Sequence, residues 1–184
     1  MLKPFKDKNY AYLTYPKLTV VVTAGIPGRA TAMAASWHTY LSLDPPLYGV
    51  SIAPKRFTHK LITEHREFGV NFLPFELSKL IWDVGSVSGA KIDKFEKFNI
   101  KTFNGEKIRA PLIADSIVVL ECKVTDTVRT GDHDFFIGEI VYAWYREDLF
   151  SKDYTLDVSK ASQAYYLGKG KFIATDPRRV LEFL

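Results

Sequence analysis

Cysteine occurs once, at Cys122, so no intrachain disulfide can form and a reducing cytoplasm is the expected compartment. Cys122 lies in an apolar run and reads as an inert buried thiol rather than a nucleophile. Glutamine also occurs once, at Gln163, and asparagine only at Asn9, Asn71, Asn99 and Asn104. No apolar run reaches the roughly 20 residues of a membrane helix, so no membrane contact is expected. The opening "MLKPFKDKNYAYLTYP" lacks an apolar core and is not read as a secretory signal. Histidine is sparse: His38, His59, His65 and His133 show no metal-ligand spacing, and no metal site is expected. The common phosphate signatures are also missing. "GSVSGAKID" carries Gly85, Gly89 and Lys91 without P-loop spacing, and no G-x-G-x-x-G follows the first strand. The same segment centres on Val87, which excludes a nucleophile elbow. The 25 basic residues are interspersed with 21 acidic ones, so a net charge of +4 forms no block suited to nucleic acid.

What is present suits one folded domain over residues 1–184, with 47% hydrophobic residues and no repeat or linker. "KLTVVVTAG" from Lys17, "PPLYGVSIA" from Pro45 and "FGVNFLP" from Phe68 read as strands closed by Gly or Pro. Longer strands fit "SIVVLECKVTDTV" from Ser116 and "HDFFIGEIVYAWY" from His133. "QAYYLG" and "KFIAT" read as a final hairpin, and "DPRRVLEFL" as a short terminal helix or strand. Helical periodicity is confined to a segment from Thr58 and another near "ELSKLIWDVG". Many strands without βαβ alternation predict a mainly β fold, a closed or nearly closed antiparallel barrel with a few short helices.

The segment "ASWHTYLSLDPPLYGVSIAPKRFTHKLI" mixes small residues with a strand that delivers Lys55 and Arg56 to a helix start. Thr58 is the expected N-cap, and Pro54 limits the strand exit. Free helix amides, a guanidinium fork and a hydroxyl together would cradle a phosphate. A capped surface helix with solvated cations fits the same residues. "GRATAMAASWHT" could present small residues to a flat ring system, or it could be a tightly packed inner strand.

"GRATAMAASWHTYLSLDPPLYGVSIAPKRFTHKLI", with "NFLP", "SGAKIDKF" and "GDHDFFIGEIV" in order behind it, closely resembles the flavin reductase-like, FMN-binding split-barrel family. The resemblance covers about Thr19 to Phe172. It implies a homodimer with FMN near the interface and hydride supplied by NADH or NADPH. It places Met33, Ala34, Ala35 and Ser36 against the isoalloxazine, with Trp37 and His38 as wall residues. Ser51, Ile52 and Ala53 would lie along the ribityl chain, and Arg56 and Thr58 on the phosphate with His59 close by. Asn71 matches a position near the ring, and Ser88, Lys91, Asp93 and Lys94 would close over the flavin. His133 corresponds to the nicotinamide side, although a turn-capping role fits it too. Two departures stand out. Ala34 replaces a frequent Thr, removing a hydroxyl, and Ala90 stands where relatives carry Arg.

The implied activity is an NAD(P)H-dependent flavin or ferric-chelate reductase. The alternatives are an FMN-containing electron-transfer protein without its own nicotinamide site, and a non-redox barrel. The electron acceptor, whether flavin, ferric chelate or protein, is not specified by these residues.

Overall fold

The computed structural model describes residues 2–6 and 10–181. A 3-10 turn at Tyr10–Thr14 precedes strands β1 (Lys17–Leu18), β2 (Val20–Ile26), β3 (Arg29–Ala35), β4 (His38–Leu43) and β5 (Pro46–Ile52). Helix α1 (Phe57–His65), strand β6 (Glu67–Phe72), helix α2 (Ser78–Ser86) and the short α3 (Lys94–Lys97) follow. The chain ends with β7 (Thr102–Phe103), β8 (Leu112–Ile113), the long β9 (Val118–Arg129) and β10 (Asp134–Tyr145), β11 (Tyr165–Gly168) and β12 (Lys171–Ile173). The fold is mainly β, every pairing between these strands is antiparallel, and the helices are few. No helix among the described residues is long and apolar enough to cross a membrane.

The principal sheet has seven strands in the order β3-β2-β6-β9-β10-β5-β4. Its two edge strands, β3 and β4, are consecutive in the chain and joined only by Ser36 and Trp37. Laid flat, seven strands would hold those edges about 29 Å apart at about 4.8 Å per strand. The three steps from Ala35 to His38 reach at most about 11 Å. The sheet must therefore curl until its edges meet at this connector. No ladder joins β3 to β4; instead Ser51 N donates to the Trp37 carbonyl at 2.9 Å, tying the connector to β5.

Curling buries β2 on both faces, which explains its unbroken "VVVTAG". Val20, Val22 and Ala24 join Val50, Ile52, Leu61, Phe68 and Phe136 in one cluster. Val21 faces the other way, into a cluster with Ala32, Leu73, Ile81 and Val84 beneath α2. Cys122 is buried in the first cluster, and burial pushes its thiol pKa up, as expected of an inert thiol. The fully buried Glu121 carboxylate accepts from the amides of Glu106, Lys107 and Ile108 and from Trp144 Nε1, at 2.7–2.9 Å.

Several expected elements shift. The helix read as starting at Thr58 begins at Phe57, because Arg56 N bonds the Ala53 carbonyl and closes a turn through Pro54-Lys55. Arg56 is therefore the N-cap, and Thr58 is a buried first-turn residue rather than the cap. Residues 29–35, for which a ring-facing segment and a tightly packed inner strand were both open, form strand β3, which lies at the edge of the sheet. The terminal segment forms a 3-10 turn at Pro177–Arg179, while Glu182 to Leu184 lie outside the described residues.

Candidate functional site

A cleft runs along the seam where the sheet edges meet. Its wider part, about 290 Å³, is lined by Met33, Ala34, Ala35, Ser36 and Trp37 on one side and Ser51, Ile52 and Ala53 on the other. Arg56 stands at one end, and His133 joins Trp37 at the opening. The small side chains of β3 leave a flat wall with strand backbone near its surface. Gly85 of α2 keeps the opposite side open: an added Cβ there would sit 3.1 Å from the Ala34 Cβ.

Past Met33, Arg56 and Gly85 the cleft continues into a recess of about 200 Å³. Lys55, Arg56, Thr58, Ser88 and Lys94 line it, and among the described residues no carboxylate does. Lys94 is buried, and its Nζ donates to the carbonyls of Ala32 (2.7 Å) and Val84 (2.6 Å). It thereby staples β3 to α2, the two walls of the cleft. Desolvation and, secondarily, the Arg56 charge lower its pKa to about 8. Three cationic side chains without a carboxylate, at a helix start whose N-cap offers no side-chain hydrogen bond, call for an anion. Gly89 closes the recess, since a Cβ there would lie 2.0 Å from Thr31 Oγ1.

Most of the expected ring, ribityl and phosphate contacts therefore converge: Met33 to Trp37, Ser51 to Ala53, Arg56, Thr58, Ser88 and Lys94. Others do not. Asn71 is fully buried, its amide donating to Val21 O and Thr23 Oγ1 and accepting from Ile113 N, so its bonds are spent inside the fold. His38 turns away from the cleft: Nε2–H donates to the Leu18 carbonyl at 3.0 Å and Tyr48 O–H donates to Nδ1 at 2.5 Å. Burial lowers the His38 pKa, against the raising effect of the Leu18 bond, in keeping with that neutral tautomer. His59 bonds Asp134 at 2.7 Å and packs edge-on against Phe136. Asp93 caps α3 by accepting from Phe95 N and Glu96 N, and Lys91 is exposed outside both parts of the cleft.

His133 is at the mouth. Its Nδ1 bonds Asp132 at 2.7 Å, and its ring lies 4.9 Å from the Trp37 ring, tilted by 47°. Its own carbonyl closes the Thr130 turn, accepting from Thr130 N and Oγ1, so the turn contact is made by the backbone and not by the imidazole. Tyr15, Tyr166 and Gly85 also line the cleft and were not anticipated. The first two arrive through the pairing of β1 with β11, which no local pattern announces.

A wall of small residues thus leads into a cationic recess. The family described as flavin reductase like domain matches residues 12–166, and the chain belongs to that family of flavin-binding oxidoreductases. It is 33% identical over 155 residues to the NADH:riboflavin 5'-phosphate oxidoreductase of Streptomyces pristinaespiralis, covering 78% of this chain and 84% of that one. The FMN-binding protein from Thermus thermophilus with bound 1-cyclohex-2-enone superposes with a TM-score of 0.87 at 31% identity, covering 99% of each chain. The flavoredoxin from Methanosarcina acetivorans superposes at 0.84 with 28% identity, covering 96% of this chain and 92% of that one.

Proposed function

We propose that the protein binds FMN in the seam cleft and acts as an NAD(P)H-dependent flavin or ferric-chelate reductase. The observation that carries this reading is the continuity of a small-residue wall with a carboxylate-free cationic recess. Arg56, Thr58, Lys55 and Lys94 hold the phosphate, and Ser51 to Ala53 run beside the ribityl chain. The wall from Met33 to Ser36 offers the ring a flat apolar surface. Bound there, FMN supplies the hydride-accepting chemistry, and the protein binds, orients and screens it. Trp37 and His133 form a rim on which a nicotinamide can rest. With Nδ1 held by Asp132, His133 keeps Nε2 for the carboxamide.

In this reading the curled sheet is a split barrel whose open seam holds the cofactor, and a second copy covers the remaining ring face in a cytoplasmic homodimer. Sedimentation at micromolar concentration then gives about twice the 20.9 kDa chain mass. The likeness to a flavoredoxin favours a second reading, an FMN electron-transfer protein reduced by another protein. One anaerobic titration separates the two. Purified protein reconstituted with FMN bleaches in the visible on addition of NADH or NADPH under the first reading, and stays oxidised under the second. No flavin band after reconstitution would sink both.

A further inference from the structure

His59 lines neither part of the cleft, although it follows Thr58 directly in the chain. It stands in the first turn of α1, the helix whose N-cap is Arg56. Its Nε2 lies 2.7 Å from Asp134 Oδ2, and because an ionised carboxylate only accepts, Nε2 carries the hydrogen. The two side chains are only 16% and 19% exposed, and Phe136 packs edge-on against the imidazole with ring centroids 5.0 Å apart. A charge-assisted bond so shielded from water holds its geometry better than a surface ion pair.

Asp134 is a junction. As the first residue of β10 it pairs with Arg129 of β9 on one side and with Ile52, a cleft-wall residue of β5, on the other. Its neighbour in the chain is His133, at the cleft mouth. The other contacts that shape this turn face solvent: Thr130 N and Oγ1 donate to the His133 carbonyl, and Asp132 bonds the His133 ring. Helix α1 packs mainly on β2 and β3, and among the described residues His59 makes its one hydrogen bond to β10. The shielded tie of the mouth therefore runs to the helix whose start forms the cationic recess.

We propose that His59 is a positioning residue: through Asp134 it locks the β9–β10 turn onto α1 and so fixes where His133 stands relative to the recess. That this placement serves hydride transfer rests on the function proposed above; the mechanical tie does not. Two readouts test it, one of them independent of flavin. In flavin-free protein, hydrogen exchange of the Thr130 amide should quicken about tenfold in His59→Ala and hold the wild-type rate in His59→Gln, whose side-chain amide reaches the same carboxylate. Asp134→Asn, which keeps an acceptor but loses the charge, should fall between them. In FMN-loaded protein, His59→Ala should raise the NADH concentration for half-maximal anaerobic reduction about tenfold, with FMN affinity at the wild-type value, and His59→Gln should restore it. Added to His133→Ala, His59→Ala should cause no further loss, since both act through one imidazole. Unchanged Thr130 exchange in His59→Ala overturns the proposal. So does a lowered melting temperature with no change in the NADH requirement, the mark of a bond that only stabilises. Weakened FMN binding with a normal NADH requirement at saturating flavin overturns it too, and moves His59 to the phosphate. If wild-type protein binds FMN but is not reduced by NADH or NADPH, the reductase reading falls, and Thr130 exchange alone decides the tie.

Discussion

Raising the pH should loosen FMN but not riboflavin, because Lys94 sits in the recess with its pKa lowered to about 8. A phosphate dianion favours the charged lysine, so the complex holds the proton that the free protein gives up. With a free pKa of about 8, the charged fraction falls from about ten-elevenths at pH 7 to about one-eleventh at pH 9. The FMN Kd should therefore rise about tenfold over that range. The phosphate itself is already doubly ionised there, its second pKa being near 6. Riboflavin lacks the phosphate and serves as the control. Quenching of flavin fluorescence at constant ionic strength reads both affinities. Lys94→Met should bind FMN weakly at pH 7 and show no slope. Parallel slopes for FMN and riboflavin, or a slope that survives in Lys94→Met, would refute the reasoning. The folding linkage has the opposite sense. The folded pKa lies below the ordinary 10.5, so the unfolded chain holds more protons between pH 8 and 10.5. Lys94 thus makes flavin-free protein more stable as pH rises through that window.

Arg56→Ala removes a charge-assisted fork and should cost roughly 1.5–3 kcal/mol of FMN affinity, with riboflavin nearly unchanged in the same quenching assay. His133→Ala should slow anaerobic reduction by NADH, followed by stopped-flow absorbance, while FMN affinity stays at the wild-type value. Gly89→Ala drives a Cβ to 2.0 Å from Thr31 Oγ1, so the loop over the recess must lift. FMN should then dissociate faster, whereas an unchanged off-rate would argue that the loop does not cover the phosphate. Glu121→Gln places an NH₂ among three backbone N–H donors and should destabilise the fold by about 3 kcal/mol. Calorimetry should show a melting temperature about 6–12 °C lower.

The long strands were legible because their patterns are local: β2, β6, β9 and β10 carry β-branched and aromatic runs between turn residues. The cationic helix start was legible for the same reason, since Lys55, Arg56 and Thr58 are neighbours in the chain. The cap was misplaced by two residues because the turn from Ala53 to Arg56 is set by a backbone bond, and Thr58 matches a cap by type alone. His38, His59 and Asn71 illustrate a different limit. Their partners lie 10 to 75 positions away, at Tyr48, Leu18, Asp134, Val21, Thr23 and Ile113. A polar residue next to a site motif cannot reveal that its hydrogen bonds are consumed elsewhere. For the small-residue segment from Gly28, composition left two readings open, and the structure makes it a strand at the sheet edge. Small residues serve a strand that must pack closely as well as they serve a loop that must admit a ligand.

The two-residue connector at Ser36-Trp37 also sets an order of events. Its edge strands belong to opposite ends of the sheet, so the wall from Met33 to Trp37 is set against Ser51 to Ala53 only once the intervening ladders have closed the sheet. Those ladders include pairings of high sequence separation, such as β5 with β10 and β6 with β9, the slow class of contact in folding. A competent cleft is thus a late product of refolding, and partly folded chains do not present it. Flavin capture during refolding should lag the return of far-ultraviolet circular dichroism, and the ligand should slow unfolding without speeding folding.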